Sequence, residues 1–142
     1  MRKHTKNTLE HNLSNLKLFL KYNWPSILWA AFILVASLLP TRNLPEVRVS
    51  DKLVHGSIYS ILFLLTYSGW KYQPTILFLK QKATTVLILA VPLFGFIIEV
   101  LQGTCTTTRH FDWWDVLANT AGALIGLLLI HLLKTFHFFE KL

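Results

Sequence analysis

The residues best suited to chemistry fall into two groups. The first is Asp51-Lys52-x-x-His55-x-x-x-Tyr59. The second is Glu99-x-x-Gln102 followed by Arg109-x-x-Asp112-x-x-Asp115-x-x-x-Asn119. Residues three or four apart share a helix face. Asp51, His55 and Tyr59 therefore form one stripe, Asp112, Asp115 and Asn119 a second, and Glu99 and Gln102 a third. Arg109 offers a bidentate fork to a phosphate and Lys52 a point charge, while the starts of two helices add their dipoles. His55 and Glu99 could instead serve as general acid and base, since surroundings can move either pKa toward neutrality. Asp115 is a further catalytic candidate. A zinc centre would need three or four ligands, such as His55, His110, Asp112 or Asp115. The chain has no HExxH and no close His pair, and Arg109 adjoins these candidates. Neither a metal nor another cofactor is expected.

The charges in these groups do not balance. Asp51, Glu99, Asp112 and Asp115 face only Lys52 and Arg109 as fixed cations. Protonation of an acid, a protonated His55, a bound cation or exposure to water would relieve the excess. The plain alternative is a structural network in which Arg109 pairs Asp112 or Glu99.

The elements that carry these residues are apolar. The chain has 142 residues, 53% hydrophobic and only 15% charged. Soluble domains carry about 25% charged residues, so the composition is that of a membrane protein. Four stretches, about 24–40, 53–70, 84–102 and 114–133, suit helices spanning a bilayer, which need roughly 17–25 apolar residues. The expected fold is all-α, a bundle of four transmembrane helices with an N-terminal amphipathic helix. Residues 1–23 form the N-terminal segment, 24–133 the membrane domain and 134–142 the C-terminal tail. Leu9, Leu13, Leu16 and Leu20 recur at helical spacing. They fit a helix lying on the membrane surface or, equally, a helical extension of the first span. Proline is tolerated at the start of a helix, where Pro25 stands, and Pro40 closes the span. Thr41 to Pro45 read as a turn, Ser50 as a cap for the second helix and Gly103 as the end of the third. Asp112 marks the start of the fourth, where a carboxylate favours the helix dipole. Gly122-x-x-x-Gly126 is a small-xxx-small pair suited to close helix packing, with a dimer face as the rarer use. Trp24, Trp70, Trp113 and Trp114 sit at span ends, as interfacial aromatics do.

The net charge of +7 follows the membrane rather than a nucleic-acid surface, and no nucleic-acid partner is expected. Basic residues concentrate in the N-terminal tail, the 71–82 connection and the C-terminal tail. Arg42, Arg48, Lys52 and Arg109 are the remainder. The positive-inside rule then puts both termini in the cytoplasm and the two polar groups on the outer face. Cys105 is the single cysteine, which excludes an intrachain disulfide, and it is read as an unmodified thiol.

In this order, each at a helix end, Asp51-Lys52-x-x-His55-x-x-x-Tyr59, Glu99-x-x-Gln102 and Arg109-x-x-Asp112-x-x-Asp115-x-x-x-Asn119, with Gly122 and Gly126, resemble the VanZ-like family over about residues 25–133. Trp113-Trp114 and the first 23 residues are not part of that pattern. The resemblance implies a small multi-pass protein of the bacterial cytoplasmic membrane. It also implies a link to lowered susceptibility to the glycopeptide teicoplanin. The first functional expectation is a non-enzymatic envelope protein whose outer cluster binds or organises a lipid headgroup or lipid-linked cell-wall precursor, with Arg109 and Lys52 meeting phosphate. The alternative is an integral-membrane enzyme on a lipid-linked phosphate substrate. A transporter is disfavoured, because four spans leave little room for a pathway. The oligomeric state is not legible.

Overall fold

Long apolar runs broken by short polar connections fold into helices, because each helix satisfies its own backbone inside a bilayer. The computed structural model describes residues 2–39, 51–107 and 109–139. It contains α1 (Arg2–Leu38), α2 (Asp51–Tyr72), α3 (Leu77–Cys105) and α4 (Trp113–Phe139), with no strand among the described residues. The expected turn at 41–45, Pro40 and the Ser50 cap lie outside the described residues.

Among the described residues, three stretches are long and apolar enough to cross a membrane: Leu9–Leu38, Leu77–Cys105 and Trp113–Phe136. The less apolar α2 packs against all three other helices, most extensively against α4. Its Tyr59, Ser60 and Tyr67 are buried against those neighbours, so its polar positions face protein. α2 and α4 start at the same end of the bundle. Lys52 meets Asp115 there, and Lys134 lies 5.1 Å over the Tyr67 ring toward the far end. α1 and α3 run the other way, so Gln102 near the end of α3 reaches the Ser37 carbonyl near the end of α1 at 3.1 Å.

α1 is one helix of 37 residues, about 55 Å long at 1.5 Å per residue. That exceeds the roughly 30 Å of bilayer hydrocarbon. Trp29 Nε1 donates to the Ile58 carbonyl at 3.0 Å, and Asn23 packs on Gly69 near the end of α2. N-terminal to that contact, Leu9, Leu13, Leu16 and Leu20 are all exposed. The helix runs unbroken through Trp24 and Pro25, which is the extension alternative.

Gly103 does not end α3. The helix continues to Cys105, and Thr106 closes it, its N–H and hydroxyl both donating to the Gln102 carbonyl. Glycine serves a different need at 103, where an added Cβ would stand 3.1 Å from the Phe111 backbone nitrogen. Asp112 does open α4: its Oδ1 accepts the Trp114 N–H at 2.8 Å. Trp24, Trp113 and Trp114 are exposed as interfacial anchors should be, whereas Trp70 is half-buried.

Gln73 organises the α2–α3 turn and is fully buried. Its Oε1 accepts from Thr75 N, Thr75 Oγ1 and Ile76 N, each at 2.7 Å, and its Nε2 donates to the Ile76 carbonyl at 2.7 Å. Gln73→Ala leaves buried backbone groups without partners, a cost of about 1–3 kcal/mol. Thermal unfolding in detergent should show that loss, and an unchanged midpoint would contradict it.

Candidate functional site

The polar end of the bundle is built from the first turns of α2 and α4 and the last turns of α3. Lys52, at the second position of α2, donates to Asp112 Oδ2 at 2.8 Å and to Asp115 Oδ1. Partial burial of its ammonium works against the charge. The hydrogen bonds to both carboxylates outweigh that and hold its pKa above the ordinary lysine value. The same bond from Lys52, with the Trp114 N–H, holds Asp112 below the usual carboxylate range. Lys52 was expected to meet phosphate beside Arg109, but its charge is already taken by these two acids.

His55 lies one turn deeper. Its Nδ1 is 3.0 Å from Asn119 Oδ1, and its Nε2 is 3.9 Å from both Asp51 Oδ1 and Asp115 Oδ2. Glu99 stands behind the ring, its Oε1 3.9 Å from Nδ1. Glu99 is fully buried, and neither of its carboxyl oxygens has a hydrogen-bond partner among the described residues. The Tyr59 hydroxyl and Asn119 Nδ2 are also buried and unpartnered. These two side chains converge over Gly95, where an added Cβ would come within 3.0 Å of each. The spacing rule thus brings Asp51, Lys52, His55, Tyr59, Glu99, Asp112, Asp115 and Asn119 to one end.

Two expected members stand apart. Gln102 is buried and turned to α1, where it ties two helices together. Arg109 forms no ion pair among the described residues, and its buried Nε has no hydrogen-bond partner. The pairing of Arg109 with Asp112 or Glu99, the core of the purely structural alternative, is therefore not what forms. His110 is exposed and outside the cluster, and Asp112 is occupied by Lys52 and the α4 cap.

A family model described as VanZ/LLP1 matches residues 3–134. The chain belongs to the VanZ/LLP1 family. This VanZ/LLP1 protein is also similar to a Schizosaccharomyces pombe protein named "Uncharacterized protein C11E3.10". The two are 26% identical over 102 residues, covering 72% of this chain and 59% of that relative. The chain thus spans well under two thirds of the relative's length. No solved structure matches.

Several residues that shape the site of this VanZ/LLP1 protein were not singled out in the sequence. Gly56 offers the backbone on which Gly122 of α4 packs, although a Cβ on Gly56 itself would meet only the Ala118 carbonyl at 3.6 Å, and this contact brings α4 beside the Asp51–His55 turn. Its only signal is adjacency to His55. Gly95, one turn before Glu99, makes room for Tyr59 and Asn119 and carries a similar signal. Phe96 and Phe111 pack against Trp113, read from the sequence only as an interfacial aromatic, with the Phe111 and Trp113 rings edge to face at a centroid distance of 4.8 Å. No spacing rule reaches across the loop to find that contact.

Proposed function

We propose that this VanZ/LLP1 protein binds or organises the phosphate headgroup of a membrane lipid or lipid-linked precursor at the polar end of its bundle, with Arg109 as the phosphate ligand. The supporting observation is the unspent guanidinium: Arg109 pairs with no acid among the described residues, while Lys52 is held by two. A guanidinium fork matches phosphate geometry bidentately. The site sits where short connections meet helix ends, which is headgroup depth for spans of this length. Lys71, Lys80, Lys82 and Lys134 stand toward the opposite end, and on the positive-inside rule this supports an outward-facing cluster. In a bacterial cytoplasmic membrane that face meets cell-wall precursors, and binding there is how this protein would modulate teicoplanin susceptibility.

The test uses purified protein in nanodiscs or neutral detergent, titrated with phosphatidylglycerol and with diacylglycerol, which lacks phosphate. Phosphatidylglycerol binding should fall at least tenfold in Arg109→Ala and weaken as salt rises, because the contact lies near solvent. Equal binding of both lipids, or no effect of Arg109→Ala, would sink the reading.

A second reading rests on the fully buried, unpartnered Glu99 beside His55, an arrangement suited to an acid/base pair of a membrane enzyme. Their 3.9 Å separation exceeds the 2.6–3.2 Å reach of direct proton transfer, so a water or substrate atom would have to bridge them. Turnover of a lipid phosphate that is lost in Glu99→Gln while lipid binding persists would favour this reading over simple binding.

A further inference from the structure

We propose that Asp51, His55 and Asp115 form a binding site for one divalent transition cation, zinc by ligand chemistry, at the polar end of the bundle. The site stands on its own residues and does not depend on the headgroup reading. One ligand atom from each of the three lies within 4.8 Å of the other two. His55 Nε2 is the shared vertex, 3.9 Å from Asp51 Oδ1 and 3.9 Å from Asp115 Oδ2. Ligand atoms arranged tetrahedrally at zinc distances of about 2.0–2.2 Å stand roughly 3.3–3.6 Å apart. The two pairs at His55 Nε2 therefore need to close by only a few tenths of an ångström, and the Asp51–Asp115 pair, within 4.8 Å, by up to about 1.5 Å. Asp51 can supply the movement: it opens α2, and its side chain is 70% exposed.

The surroundings prepare these atoms in three ways. First, Asn119 Oδ1 accepts from His55 Nδ1 at 3.0 Å. A carbonyl oxygen there makes Nδ1 the protonated nitrogen and turns the Nε2 lone pair toward the two carboxylates. Metal-bound histidines are oriented in the same manner by a partner on the other ring nitrogen. Second, Asp115 divides its oxygens: Oδ1 takes the Lys52 ammonium, leaving Oδ2 directed at His55. Third, the fully buried Glu99 carboxyl faces the back of the same imidazole with neither oxygen hydrogen-bonded. A cation bound beside such an unpaired acid would favour its carboxylate form. Asp51, Asp112 and Asp115 share one ammonium, Lys52, and neither Lys52 nor Arg109 pairs with Glu99 among the described residues.

One imidazole and two carboxylates leave the fourth zinc position open, as in sites that bind water or substrate. Of the zinc ligands expected from the sequence, His55, His110, Asp112 and Asp115, the fold leaves His110 outside the cluster and commits Asp112 to Lys52 and the start of α4. Asp51, one turn before His55, was not in that set.

The opposing arrangement is a protonated His55 bridging Asp51 and Asp115 with no cation. Equilibrium dialysis separates the two. The protein, purified without a histidine tag and stripped with chelator, is dialysed in detergent against graded Zn²⁺. One saturable site per chain is expected. Asp51→Asn and His55→Gln should each weaken it at least tenfold, and His110→Gln should leave it unchanged. Absence of a saturable site, persistence of binding in Asp51→Asn, or equal loss in His110→Gln would overturn the proposal. Asp51→Asn decides even if His55→Gln fails to fold, since the Asp51 side chain is exposed and packs in no core.

Discussion

Gly122→Leu should abolish the folded protein. α2 and α4 meet at this point with no side chain between them. A Cβ on Gly122 would be driven into the Gly56 carbonyl oxygen, with the Gly56 carbonyl carbon at 2.9 Å and its Cα at 3.0 Å. Backbone cannot rotate away as a flexible side chain would, so the helices must separate. Gly126, one turn on, is no more forgiving: an added Cβ would lie 2.9 Å from Phe63 Cβ and 3.1 Å from the Ser60 carbonyl. Overpacking a tight contact costs about 1–3 kcal/mol and sometimes more, and a leucine here belongs at or beyond the upper end. Because Gly56 adjoins His55, separating the helices would also pull Asp115 and Asn119 away from the imidazole. Size-exclusion chromatography in detergent should show loss of the monodisperse species for Gly122→Leu, with the exposed neighbour Ala121→Leu as a control. A well-folded Gly122→Leu protein with only its oligomeric state altered would instead assign the glycine pair to a dimer face.

Lys52→Met should produce the second large effect. Among the described residues the ammonium is the only ion-pair partner of Asp112 and the shorter of two for Asp115, which is buried. Removing it leaves the Asp115 carboxylate with only the more distant His55, a loss of about 1–3 kcal/mol for a buried polar group left unsatisfied. The pH dependence follows from the directions of the shifts. The Asp112 pKa is lower in the folded protein than in the unfolded chain, so its stabilisation is complete above the ordinary carboxylate range and is lost as pH falls through the lowered value. Lys52 is raised, so its contribution is complete below the ordinary lysine value and is lost only as pH rises through the raised one. The wild-type unfolding temperature should therefore hold level between about pH 5 and pH 8 and drop below about pH 4. Lys52→Met should start lower and show a shallower acid drop. Parallel pH profiles for the two proteins would mean that the ion pairs contribute nothing to stability.

Helical spacing was enough to group most of the site. A period of three to four carried Asp51, His55 and Tyr59 on one stripe and Asp112, Asp115 and Asn119 on another, and the structure places both stripes face to face. The pairing between stripes was not legible. Lys52 and Arg109 are both cations beside acids in the sequence. The first is fixed by its position one turn above His55 opposite α4, and the second follows α3 and forms no ion pair among the described residues. Gln102 shows the same limit: its spacing from Glu99 suggested shared duty, yet it serves α1.

Apolar run length and the clustering of ionisable residues at run ends determined that this is an all-helical membrane protein with one polar end. Both follow from the cost of placing bare backbone and charge in hydrocarbon, which acts on each segment separately. Which acid takes which cation, which ring nitrogen faces the carboxylates, and that glycines rather than large side chains line the α2–α4 contact were decided by tertiary structure alone. These depend on distances between segments some sixty residues apart, which arise only when two helices reach backbone contact at Gly56 and Gly122.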